Sequence, residues 1–164
     1  MNDNIVKKAG RRDAIKFATL GLLLAAITFY SLCLLDGGFF LGFFLIWGSQ
    51  NIFFSIDRFI IILIISIYFI SYYLGQIVAK EILIKHKNYI LTGFKYGLDT
   101  INLATFMTSG IEYLIIGISN IGTRNLFINF DLLRILAVTI LLGLPSMLLT
   151  SFLFARQLKK RAKE

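Results

Sequence analysis

Glu112 stands inside an apolar run and has the clearest capacity for chemistry in this chain. Asn102, Thr105, Ser109 and Glu112 recur at steps of three, four and three, which places them on one face of a helix. Lipid does not accept such a face, so it is expected to turn toward a bundle interior or a wet cavity. A carboxylate within a membrane span costs ~2.5–3.5 kcal/mol on insertion scales, taking the related Asp at a helix centre. Two roles follow. Glu112 could carry a proton by cycling between its ionised and neutral forms, with Asn102, Thr105 and Ser109 as polar lining. Alternatively it lies in the outer third of its span, solvated or paired with Arg124 or Arg134.

A second constellation is a decamer present twice. Gly48-Ser49-Gln50-Asn51-Ile52-Phe53-Phe54-Ser55-Ile56-Asp57 is echoed by Gly122-Thr123-Arg124-Asn125-Leu126-Phe127-Ile128-Asn129-Phe130-Asp131. Each copy precedes a long apolar run. Ser55 and Asn129 are good N-cap residues, and Asp57 and Asp131 then fall second in their helices, where an acid complements the helix dipole. The functional alternative sets Asn51, Asp57, Asn125 and Asp131 around a pseudo-two-fold axis on the outer side, as the mouth of an ion or solute path. The offset of 74 continues through Ile61 and Ile135, Leu74 and Leu148, and Lys85-His86-Lys87 against Lys159-Lys160-Arg161. Residues 14–88 and 97–162 are therefore candidate repeats.

The elements that must position these residues are apolar runs. With 164 residues, 57% of them hydrophobic, the chain carries several runs near the ~20 residues that span a bilayer. The expected fold is an all-α integral membrane protein with four transmembrane helices at 17–35, 57–79, 98–118 and 132–154, forming two successive hairpins. Residues 1–13 read as a short cytoplasmic lead and 155–164 as a cytoplasmic tail. Gly10-Arg11-Arg12-Asp13 has the look of a twin-arginine signal, but the run after it is long and Leu34-Leu35-Asp36 offers no small-residue cleavage site, so a retained anchor is expected. The first span carries Ala14, Ala18, Gly21, Ala25 and Thr28 on one stripe, the fourth Thr139, Gly143, Ser146 and Thr150. Small residues at that spacing let helix backbones approach closely. Pro145 interrupts the fourth span and is expected to kink it. Phe39 to Trp47 is too short to cross and reads as interfacial, as re-entrant, or as the end of a broken first span.

The net charge of +8 reports topology rather than a nucleic-acid partner. Lys7, Lys8, Arg11, Arg12 and Lys16 precede the first span, Lys80, Lys85, Lys87 and Lys95 separate the second from the third, and Arg156, Lys159, Lys160, Arg161 and Lys163 follow the fourth. The other two connections hold Arg58, Arg124 and Arg134. This alternation is the positive-inside pattern and puts both termini in the cytoplasm. The basic, aromatic segment from Lys85 to Gly97 is expected to lie on an anionic inner leaflet. Cys33 is the sole cysteine, which excludes an intrachain disulfide or a CxxC centre. His86 sits between two lysines and reads as a solvated loop residue, without the companions a metal site requires. No cofactor or metal is expected.

No catalytic constellation is visible, so the expected function is that of a non-catalytic multi-pass protein of the cell (cytoplasmic or inner) membrane. It would be a subunit or accessory protein of a larger complex, or a homo-oligomer. The alternative is a small proton- or cation-coupled transporter or channel component using Glu112.

Overall fold

The computed structural model describes residues 3–35, 56–119 and 130–161. Within them the chain forms four helices: α1 (Asp3–Leu35), α2 (Ile56–Leu83), α3 (Tyr89–Ser119) and α4 (Phe130–Arg161). Helix α1 packs against α2 and α4, and α3 against the same two. Contacts pair residues from opposite ends, as Gly10 with Gly75, Thr19 with Tyr68, Gly93 with Ala155 and Ile101 with Gly143. All neighbours are therefore antiparallel, and the bundle runs up-down-up-down. Helices α1 and α2 are long and apolar enough to cross a membrane.

The helices outrun the expected spans. Helix α1 begins at Asp3, so residues 3–13 are the first turns of a continuous helix. Val6, Asp13 and Ala14 there are fully buried. Likewise α3 begins at Tyr89, so most of the segment from Lys85 to Gly97 is helix rather than loop. Polar residues continue these helices because they find partners across the bundle. Asp3 pairs with Lys7 on its own helix and with Lys80 of α2. The Arg11 guanidinium donates to Gln76 Oε1 at 2.8 Å and lies 4.7 Å from the centre of the Tyr72 ring. Asp13 Oδ2 lies 2.5 Å from Arg161 Nη1 of α4.

These ends hold a buried core. Val6, Ala14, Val78, Ala79, Tyr96 and Phe154 belong to one buried cluster there. A second, with Ala18, Ile67, Ile101, Ala104 and Met147, continues it toward the middle. Small residues bring the backbones together. A Cβ on Gly10 would stand 2.5 Å from the Gly75 carbonyl oxygen and 2.6 Å from Ala79 Cβ. Gly97 meets Ser151 and Met147 of α4, and Gly21 meets Thr150 and Met147. The stripe expected on the first span is thus real at Ala14, Ala18 and Gly21, but it begins earlier, at Val6 and Gly10. It fades at Ala25, and Thr28 is exposed, its hydroxyl donating to the Leu24 carbonyl of its own helix at 2.8 Å.

Helix α4 runs through Pro145 without interruption. Its buried face is Ser146, Met147, Thr150, Ser151, Phe154, Ala155 and Leu158. The corresponding face of α2 includes Ser71, Gly75, Val78, Ala79 and Ile82. These match at an offset of 76: Ser71 on Met147, Gly75 on Ser151, Val78 on Phe154, Ala79 on Ala155 and Ile82 on Leu158. At the offset of 74 set by the decamers, Ser71 would fall on Pro145 and Gly75 on Leu149, both exposed. A shift of two residues turns a helix by about 200°. The decamer echo therefore does not carry through ungapped to equivalent packing in the two hairpins.

Candidate functional site

Glu112 lies near the end of α3, and antiparallel packing sets it beside the first turn of α2. Its side chain is fully enclosed. Arg58 of α2 grips it: Arg58 Nε donates to Oε1 at 2.9 Å and Nη2 donates to Oε2 at 2.8 Å. Two parallel, charge-assisted bonds are the strongest geometry available to this pair of groups. Arg58 sits at the positive end of a helix dipole, an unfavourable place for a cation, and the carboxylate offsets it. Phe59, 2% exposed, follows it in the same turn. Neither of the expected partners, Arg124 and Arg134, can be compared, because Arg124 and the Arg134 side chain lie outside the described residues.

The expected polar face is only partly assembled. Thr105 is buried and Ser109 half-buried, and the Ser109 hydroxyl donates to the Thr105 carbonyl at 2.6 Å. Asn102 is exposed. Helical geometry explains the miss: at 100° per residue, Thr105 is about 20° from Glu112 around the axis, whereas Asn102 is about 80° away. The residue that belongs on the face is Thr108, four before Glu112 and fully buried. Its hydroxyl donates to the Ala104 carbonyl at 2.7 Å, with Ser66 Oγ of α2 3.4 Å away. Bonding back to the preceding turn is the usual way for Ser and Thr to be satisfied inside a helix.

Sequence reasoning missed Arg58, Thr108 and Ser66. A signal for Arg58 existed. Helices α2 and α3 are joined by a short turn around His86, and reflecting position 112 through it lands near residue 60, within one turn of Arg58.

Of the decamer residues, Asn51 and Asn125 lie outside the described residues, as do the side chains of Asp57, Asp131, Cys33 and Thr139 and the segment from Phe39 to Trp47. Backbone positions bear on the capping idea. Helices α2 and α4 begin at Ile56 and Phe130, directly after Ser55 and Asn129 in sequence. Asp57 and Asp131 are accordingly the second residues of their helices.

Further buried hydroxyls lie between the helices on the side of the bundle away from Arg58. Ser71, Thr100, Thr150 and Ser151 line a narrow cleft with Tyr96 and Phe17, too tight to seat a water molecule. Among the described residues, no cluster of His, Cys, Asp and Glu could hold a metal ion. The arrangement defines an antiparallel four-helix protein in which, among the described residues, two enclosed carboxylates, Glu112 and Asp13, each face an arginine of another helix. No protein family, curated protein or solved structure matches this chain.

Proposed function

We propose that this chain is a four-span membrane protein with both termini in the cytoplasm, acting as a non-catalytic subunit or accessory protein of a larger membrane complex. The observation that carries this reading is the Arg58–Glu112 pair. Both carboxylate oxygens are occupied by one guanidinium, so the group best suited to carrying a proton is engaged as a brace between α2 and α3. The outward faces also support it. Leu23, Ile27, Ile61, Ile65, Phe106 and Leu114 are exposed, spread over three helices, as expected of a bundle surrounded by lipid or by other membrane helices.

Two measurements test the reading. Single cysteines at positions 50 and 124, labelled with a membrane-impermeant reagent, should react from outside the cell. Reaction from the cytoplasmic side alone would overturn the topology. Native mass spectrometry of the tagged protein in mild detergent should show a defined stoichiometry with a larger membrane protein, and Glu112→Gln should leave that stoichiometry intact. A homo-oligomer that conducts or transports alone in liposomes would overturn the accessory role.

The second reading, a small proton- or cation-coupled transporter or channel component, draws support from the buried polar residues below the pair. Thr105 and Thr108 lead along α3 to Glu112, and the Thr105 hydroxyl lacks a hydrogen-bond partner. In that case Glu112→Gln abolishes pH-dependent flux in liposomes while the fold survives.

A further inference from the structure

The turn between α2 and α3 bounds an open cavity of about 590 Å³. Its polar wall is His86, Lys87 and Asn88 from the turn and Lys159 from α4, and its apolar wall is Ile82, Tyr89 and Ile90. We infer that this cavity binds a phosphate group, carried either by a lipid headgroup or by a free phosphate.

The cations are set in place by the fold. Lys159 Nζ is held 4.1 Å from the centre of the Tyr89 ring, which fixes a long, flexible side chain at the rim. Lys87 pairs with Glu81 one turn back on α2. Glu81 is the acid nearest this wall in sequence, and the two segments that line it carry Lys85, Lys87, Lys159 and Lys160. The local balance is strongly positive, and a phosphate would share Lys87 with Glu81 and take Lys159 outright.

His86 stands on the same polar wall. The Lys87 N–H donates to the Glu81 carbonyl at 3.0 Å just past the end of α2. His86 has φ of 50°. Glycine occupies such a position without penalty, whereas a residue with a Cβ is strained by about 1–2 kcal/mol. The His86 imidazole belongs to the cavity wall. Helix α3 starts at the same wall. Asn88 Oδ1 accepts the Ile90 N–H at 3.0 Å, and the positive end of the helix dipole there favours an anion. The apolar wall suits the glycerol and first methylenes of a lipid, so the same cavity can take a headgroup whose phosphate sits on Lys159.

This site does not depend on the chain working within a complex. The test uses the purified full chain in neutral detergent micelles, titrated separately with dioctanoyl phosphatidic acid and with sodium phosphate and read by microscale thermophoresis. Saturable binding is expected. Lys159→Gln should weaken it about tenfold, the loss of one charge-assisted hydrogen bond, whereas Lys95→Gln, an exposed lysine outside the cavity, should change it less than twofold. Binding of both probes with mutual competition identifies the phosphate alone as the recognised group. Binding of the lipid alone, weakened further by Ile90→Asn, identifies a headgroup. The proposal is overturned if neither probe saturates, or if Lys159→Gln weakens binding no more than Lys95→Gln.

Discussion

Arg58→Met should be far more damaging than Glu112→Gln, although the two residues form one pair. The Glu112 side chain is fully enclosed, while that of Arg58 is 34% exposed. Removing Arg58 leaves an enclosed carboxylate with both principal donors gone, a loss of ~3–5 kcal/mol for breaking a buried pair from one side. Removing the charge from Glu112 leaves a guanidinium that can turn its head outward, and Gln still accepts one of the two bonds. That change should cost about 1–2 kcal/mol. Replacing both, as Arg58→Met with Glu112→Leu, removes the stranded charge altogether and should cost less than Arg58→Met alone. The assay is far-UV circular dichroism during titration of the micelle-bound protein with sodium dodecyl sulfate, arranged as a double-mutant cycle. Equal losses from the two single substitutions, or a double variant as unstable as Arg58→Met, would refute the idea that enclosure of the carboxylate dominates the energetics of this site.

Glycine positions should divide sharply by what lies beside them. Gly10→Ala sets a methyl 2.5 Å from the Gly75 carbonyl oxygen, backbone that cannot step aside, and should cost toward the upper end of the ~1–3 kcal/mol typical of overpacking. Gly110→Ala meets nothing within 4 Å and should be neutral or stabilising by up to about 1 kcal/mol through helix propensity, in the same unfolding assay. His86→Gly should stabilise the end of α2 by about 1 kcal/mol, seen as slower hydrogen exchange at Ile84 and Lys85. Arg161→Gln removes the closest cation to the buried Asp13 carboxylate and should loosen α1 from α4, measured as faster exchange of the α1 amides around Ala14.

Much of the fold was legible because run length and apolar composition are strong signals for helices in this class. All four apolar runs expected as spans lie inside observed helices, and the two helix starts after the decamers fall at Ile56 and Phe130, next to the expected caps. The helix ends were not legible. Hydropathy sees lipid-facing residues, whereas Asp3, Arg11 and Asp13 are helical because of partners on α2 and α4 that no local window contains. The site was half legible for a related reason. A lone Glu in an apolar run announces a buried polar face, and periodicity put Thr105 beside it. Steps of three and four, however, drift around the helix, so Asn102 was assigned to a face it does not share. Arg58 was invisible to periodicity because its pairing depends on the register between two helices.

The ion pair between Asp13 and Arg161 has a consequence for the order of synthesis. Asp13 is made about 150 residues before Arg161. At roughly 5–20 residues per second the ribosome needs some 7–30 s to reach Arg161 from Asp13. During that interval Asp13 has Arg12 as its neighbouring cation but lacks the guanidinium of α4. The bundle is therefore expected to close only once Arg161 has been made, with α1 and α2 held as a pair by Gly10, Gly75 and Ala79 until then. A chain stopped just short of Arg161 would keep every apolar run and lose the latch that joins its beginning to its end.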